Sequence, residues 1–187
     1  YTGPSFDEVV VVLDEAYNEY LPVAQRLDTS AWLESHPNLV LTRTFSKIYG
    51  LAGLRVGYAL TSPLIADLMN RVRQPFNCNN LALAAASAAL GDDEFVARSV
   101  ALNAAGMAQI CAGLERLACR YIPSFGNFVT FQLVNAAQVN QGLLRQGVIV
   151  RPLGAYSMPD WLRVTIGTAE ENARFLNVLT ATLASAG

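Results

Sequence analysis

SKIYGLAGLRVGY, from Ser46 to Tyr58, is the stretch on which the reading of this chain turns. It holds Lys47, the sole lysine among 187 residues; every other basic side chain is an arginine. Gly50, Gly53 and Gly57 surround a second cation, Arg55. Leu39 to Phe45 just ahead reads as an apolar strand, so Ser46 and Lys47 leave from its carboxyl end, where open α/β sheets bind ligands. A lysine there, followed by glycine-rich backbone and a guanidinium, suits a site that binds an anion and forms an imine. The same glycines could do no more than shape turns.

A second segment points to the same sheet end. Val9 to Leu13 is an unbroken apolar run, mostly valine, and ends at Asp14. A β-branched run without alternation predicts a strand buried on both faces, as in a parallel sheet covered by helices. Asp14 and Tyr17 then fall where a site would lie, although Asp14 could instead cap a turn. A carboxylate at such a position is costly to bury without a cationic partner. The pyridinium of an imine-forming cofactor would be one.

Composition narrows the alternatives. A hydrophobic fraction of 52% with 15% charged residues fits a piece of a larger soluble protein whose surfaces are normally covered. No run of about eighteen apolar residues predicts a membrane span, and Tyr1 to Glu8 lacks the basic and apolar parts of a leader. A net charge of −2 argues against nucleic-acid binding. Cys78, Cys111 and Cys119 have no metal-type spacing and read as thiols of a reducing cytoplasm, with Cys111 and Cys119 on an apolar helical pattern. With His36 as the single histidine, and that in a loop before Pro37, no metal site is expected.

Along the rest of the chain, a short helical piece is expected around Thr29 to Glu34 and a third strand over Arg55 to Leu60. Ser62 and Pro63 predict a capped helix start, with Pro75 beyond its end. An alanine-rich helix follows over Asn79 to Leu90, stopped by Gly91. Asp92 opens a helix of about 25 residues, roughly 37 Å long, long enough to link two domains. Beyond it, Asn127 to Val134, Val148 to Val150 and Leu162 to Ile166 read as strands. Helices are expected over Ala136 to Gln146 and Glu170 to Ala184, making a small α/β unit.

VVVVLDEAYNEY followed by TRTFSKIYGLAGLRVGY resembles the fold-type I aminotransferases. With NFVTFQL, GVIVRPL and WLRVTIGT, it is most similar to their histidinol-phosphate aminotransferase branch. The resemblance implies an aspartate aminotransferase-like large domain with a mostly parallel sheet over 1–93, its amino-terminal part absent, and an interdomain helix with a small α/β domain over 94–187. It implies pyridoxal 5'-phosphate bound covalently through Lys47, with Asp14 on the ring nitrogen, Tyr17 on the ring oxygen, and Ser46 and Arg55 on the phosphate. Arg163 matches the arginine that holds the substrate anion, and Arg151 is a second candidate.

The implied reaction moves an amino group from histidinol phosphate to 2-oxoglutarate, giving imidazole acetol phosphate and glutamate, in a cytoplasmic homodimer. Because the motifs of the family's amino-terminal half are missing, the chain is expected to be a carboxy-terminal fragment with little turnover of its own. A related aromatic aminotransferase or a threonine-phosphate decarboxylase would share these motifs. From another class, VVVVLDEA resembles the magnesium-binding strand of nucleotide triphosphatases, but Lys47 precedes its glycines instead of following them. A non-catalytic interaction module is the remaining alternative.

Overall fold

The computed structural model describes residues 9–186, so the leader reading of Tyr1 to Glu8 lies outside the described residues. These residues form two compact units that divide between Ala97 and Arg98.

In the first unit, β1 (Val11–Asp14), β2 (Leu39–Thr44) and β3 (Gly57–Thr61) form one sheet in that order. β1 and β2 run parallel, with Asp14 opposite Thr42, and β3 pairs antiparallel to β2. The expected strand at Val9 starts two residues later, and its burial on both faces is not observed. Val12 is 60% exposed, and exposure alternates along β1. Among the described residues β1 pairs with β2 alone, while β2, paired on both sides, buries Leu39, Val40 and Leu41. A 3-10 turn does form at Thr29–Glu34, opened by Asp28, whose carboxylate accepts from the Ala31 amide.

Helices α1 (Pro63–Val72) and α2 (Asn80–Ala89) follow. Ser62 precedes Pro63 as expected, but its hydroxyl makes no capping bond and is buried without a partner. Asn79 does cap α2, accepting from the Ala82 amide at 2.8 Å. A small core of Phe45, Val56, Ala82 and Ala86 seats α2, with Tyr49 and Tyr58 packed around it. Leu64, Leu68 and Val72 of α1 stay exposed.

Helix α3 (Asp93–Arg116) crosses the division between the units. Its first turn is capped by Asp92, which accepts from the Phe95 amide at 3.0 Å. By length and composition alone α3 could cross a membrane. Its Gly106, Ile110, Gly113 and Leu114 are instead buried, Ile110 and Leu114 in the core of the second unit.

In the second unit, β4 (Tyr121–Ile122), β5 (Phe128–Gln132), β7 (Trp161–Thr165) and β6 (Arg151–Pro152) make an antiparallel sheet in that spatial order. α4 (Ala136–Arg145) and α5 (Ala169–Ala186) complete it. Val129, Phe131, Leu143, Leu162, Phe175 and Leu179 fill the core with Ile110 and Leu114. The strand expected at Val148–Val150 is displaced to Arg151–Pro152. Val148 and Val150 are buried, but ladder pairing begins only where Arg151 meets Arg163. β4 had not been anticipated, because two residues carry no readable alternation.

Candidate active site

Asp14 ends β1 with its side chain exposed. Its Oδ1 accepts from the Ala16 amide at 3.1 Å and from Thr42 Oγ1 at 3.3 Å, so the carboxylate is oriented from its own turn and from the neighbouring strand. Glu15 is buried. Its Oε2 accepts from Arg43 Nε at 2.8 Å, and its Oε1 accepts from the Thr29 hydroxyl. The backbone is held as well: Glu15 N donates to Thr42 O at 2.9 Å, and Asn18 N donates to Glu15 O at 3.0 Å. Burial works against the Arg43 charge, but the bonds to Glu15 and Tyr58 outweigh it and raise the arginine's pKa.

Two residues past Glu15, the Tyr17 ring lies 5.4 Å from Lys47 Nζ, within cation–π reach. It also packs against Tyr20 with ring centroids 6.2 Å apart. The Tyr20 phenol is pushed up by burial, with the neighbouring Tyr17 and Glu19 adding to the shift.

The loop after β2 is tied back onto itself. Ser46 N donates to Thr44 Oγ1 at 3.0 Å, Gly50 N to Lys47 O at 3.0 Å, and Leu51 N to Phe45 O at 2.9 Å. Gly50 adopts φ +69° to make this turn. Ile48 is 2% exposed and anchors the segment, leaving Lys47 half-buried beside it. Arg55 follows in the left-handed region at φ 54°; its Nη1 donates to Ala52 O at 3.0 Å, and its side chain is exposed.

Asp14, Tyr17, Ser46, Lys47 and Arg55 are thus all carried at or just beyond strand ends of one three-stranded sheet. Arg151 and Arg163 belong to the second unit, directly opposite each other on β6 and β7 and therefore on one face. Arg163 lies over the Phe128 ring at 4.7 Å. Arg151 stacks on Tyr156 at 5.7 Å and donates Nη2 to its hydroxyl at 3.1 Å. Each guanidinium thus lies over an aromatic ring, and Arg151 already spends one N–H on the Tyr156 hydroxyl.

The family model for aminotransferase class I and II matches residues 6–179. The chain belongs to that family. Histidinol-phosphate aminotransferase 1 of Dechloromonas aromatica is 68% identical over 172 residues, 92% of this chain and 48% of the relative. The enzyme of that name from Methylobacillus flagellatus is 63% identical, with 92% and 47% covered. Among solved structures, histidinol-phosphate aminotransferase from Sinorhizobium meliloti in complex with pyridoxal-5'-phosphate superposes with a TM-score of 0.89. It is 28% identical and covers 97% of this chain and 50% of that one. The chain therefore spans about half the length of the relatives it matches. Membership replaces the nucleotide triphosphatase reading, and Glu15, the second acid of that supposed magnesium pair, is occupied by Arg43 and Thr29.

The network of Glu15, Thr29, Arg43 and Tyr58 escaped the sequence reading. Arg43 lies 28 residues from Glu15, and strand alternation alone does not reveal which acid faces it across the ladder. Only the folded sheet shows it: the parallel register sets Asp14 opposite Thr42 and so Glu15 level with Arg43, and no local pattern in the sequence carries that relation.

Proposed function

We propose that 1–93 is the carboxy-terminal part of a pyridoxal phosphate-binding large domain and 94–187 an interdomain helix with a small α/β domain. The enzyme they belong to moves the amino group of histidinol phosphate to 2-oxoglutarate, yielding imidazole acetol phosphate and glutamate in histidine biosynthesis. It works as a cytoplasmic homodimer. The observation that carries the reading is the lone Lys47 set 5.4 Å from a phenol ring, in the loop just beyond the strand that adjoins the one ending in Asp14. High identity to two relatives named for this reaction supports the choice of substrate.

The donor set suits the cofactor chemically. Asp14, turned by Thr42 and the Ala16 amide, would hold the ring nitrogen protonated. Tyr17 would donate to the ring oxygen. Ser46 and Arg55 would hold the phosphate, a dianion that calls for a hydroxyl and a guanidinium. Bound there, pyridoxal phosphate supplies an electron sink that lets a proton leave the carbon bearing the amine. Lys47 Nζ would be the point of covalent attachment and, once free, would accept the proton from the amine-bearing carbon and deliver it to the cofactor carbon on the other side of the nitrogen. Arg163, with Arg151 beside it, would hold the substrate anion.

The test is glutamate production by the intact protein from histidinol phosphate and 2-oxoglutarate. Lys47→Ala is expected to lower turnover by about three orders of magnitude or more, removing both attachment and proton transfer. An enzyme that ignores histidinol phosphate but uses aromatic amino acids, or releases carbon dioxide from threonine phosphate, overturns the substrate assignment. A folded Lys47→Ala protein with full activity overturns the chemistry.

A further inference from the structure

We infer that Glu15 and Arg43 form a cross-strand brace that holds Asp14 and Tyr17 at a set offset from Lys47, which makes both positioning residues; the inference rests on the aminotransferase reading above. Glu15 is the residue between β1 and the turn to Tyr17, and its side chain is 6% exposed against 25% for Arg43. A buried ion pair is weak evidence of stability for its own sake, since apolar groups of similar volume often hold a core as well. What such groups cannot do is fix direction. Nε to Oε2 at 2.8 Å, with Thr29 on the second oxygen, leaves the Glu15 carboxylate little rotational freedom.

Successive residues of an extended chain point to opposite faces, so clamping Glu15 inward turns Asp14 outward. Arg43 continues the link, because it stands directly opposite Tyr58 of β3 in the ladder. The line Glu15–Arg43–Tyr58 therefore crosses β1, β2 and β3 at the end from which Asp14, Lys47 and the Arg55 loop project. Thr29 ties in the connection between β1 and β2 as well. No residue of the brace is needed for contact with the cofactor or substrate.

The test compares the intact protein with Glu15→Gln, Arg43→Lys and the double variant Glu15→Leu/Arg43→Met. Readouts are the urea midpoint, the affinity for pyridoxal phosphate from its visible band, and the pH midpoint of that band. The double variant is expected to keep its urea midpoint. All three should bind the cofactor about tenfold or more weakly and shift the band's pH midpoint, as loss of alignment without loss of contacts implies. Arg43→Lys, which keeps the cation and loses the fork, serves if the double variant does not fold. A folded variant with parent affinity and parent pH midpoint overturns the brace alone. If the unmodified protein gives no visible band, the aminotransferase reading falls and the brace with it.

Discussion

Gly57 of β3 pairs with Thr44 of β2, and a Cβ built there would stand 2.6 Å from the Arg43 carbonyl oxygen. Backbone cannot yield as a side-chain tip does, so Gly57→Ala is expected to cost about 1–3 kcal/mol by urea denaturation. Gly53, with nothing within 4 Å of its would-be Cβ, supplies the control. Gly53→Ala should be neutral or raise stability by up to about 1 kcal/mol through the unfolded state. Equal costs at the two positions would count against the close approach at Gly57. A second residue-scale prediction concerns Tyr121, whose hydroxyl donates to Glu115 Oε1 at 2.7 Å. That bond to a carboxylate pushes the phenol up to about 12, with a smaller push from burial. Glu115→Gln removes the anion that opposes ionisation, so the Tyr121 midpoint should fall back toward about 10. NMR titration of labelled tyrosine Cζ would show it, and an unmoved midpoint would assign the shift elsewhere.

Among the elements, α3 packs closely through two of its glycines. A Cβ at Gly113 would come within 2.3 Å of Leu176 Cδ2 on α5, and one at Gly106 within 2.5 Å of Ile166 Cγ2. In a free helix, Gly→Ala would add about 1 kcal/mol. Here it drives a methyl into a buried leucine, so Gly113→Ala is expected to be net destabilising by about 1–2 kcal/mol. Leu176→Ala in the same chain should relieve part of that, giving non-additive costs in a double-mutant cycle; strict additivity would argue that α3 and α5 do not meet there. On the same helix Cys111 is pushed up by burial, with its bond to Tyr121 working the other way, and Cys119 just past α3 is pushed up by burial too. Both thiols carry less thiolate at pH 8 than a free cysteine, so iodoacetamide should label them more slowly than a cysteine peptide. The rise in pKa means the rate recovers only as pH climbs further. Helices and their starts were well legible, since capping residues act over three or four positions. Strand limits were not, because pairing partners lie far away in sequence.

For the whole molecule, the larger apolar core belongs to the second unit, whereas the first unit leaves Val12 of β1 and Leu64 and Val72 of α1 exposed. With half the length of its relatives represented, the 187-residue chain by itself is expected to bind a hydrophobic dye and to transaminate far more slowly than the intact protein. Parity of the two rates, with no dye binding, would refute this.

The proposed site is local in sequence: Asp14 to Tyr17 and Ser46 to Arg55 are contiguous motifs, and contiguous residues keep their spacing whatever the rest of the fold does. The helix ends at Asn79 and Asp92 were local in the same way. Three things depended on tertiary structure. Pairing among the described residues, not valine content, separates the exposed Val12 of β1 from the buried Val40 of β2. Ladder register put Arg151 opposite Arg163 and brought Glu15 to Arg43. Close packing left no room for a Cβ at Gly106 or Gly113. Each is a relation between residues distant in the chain, set by packing and pairing energies that no single segment contains.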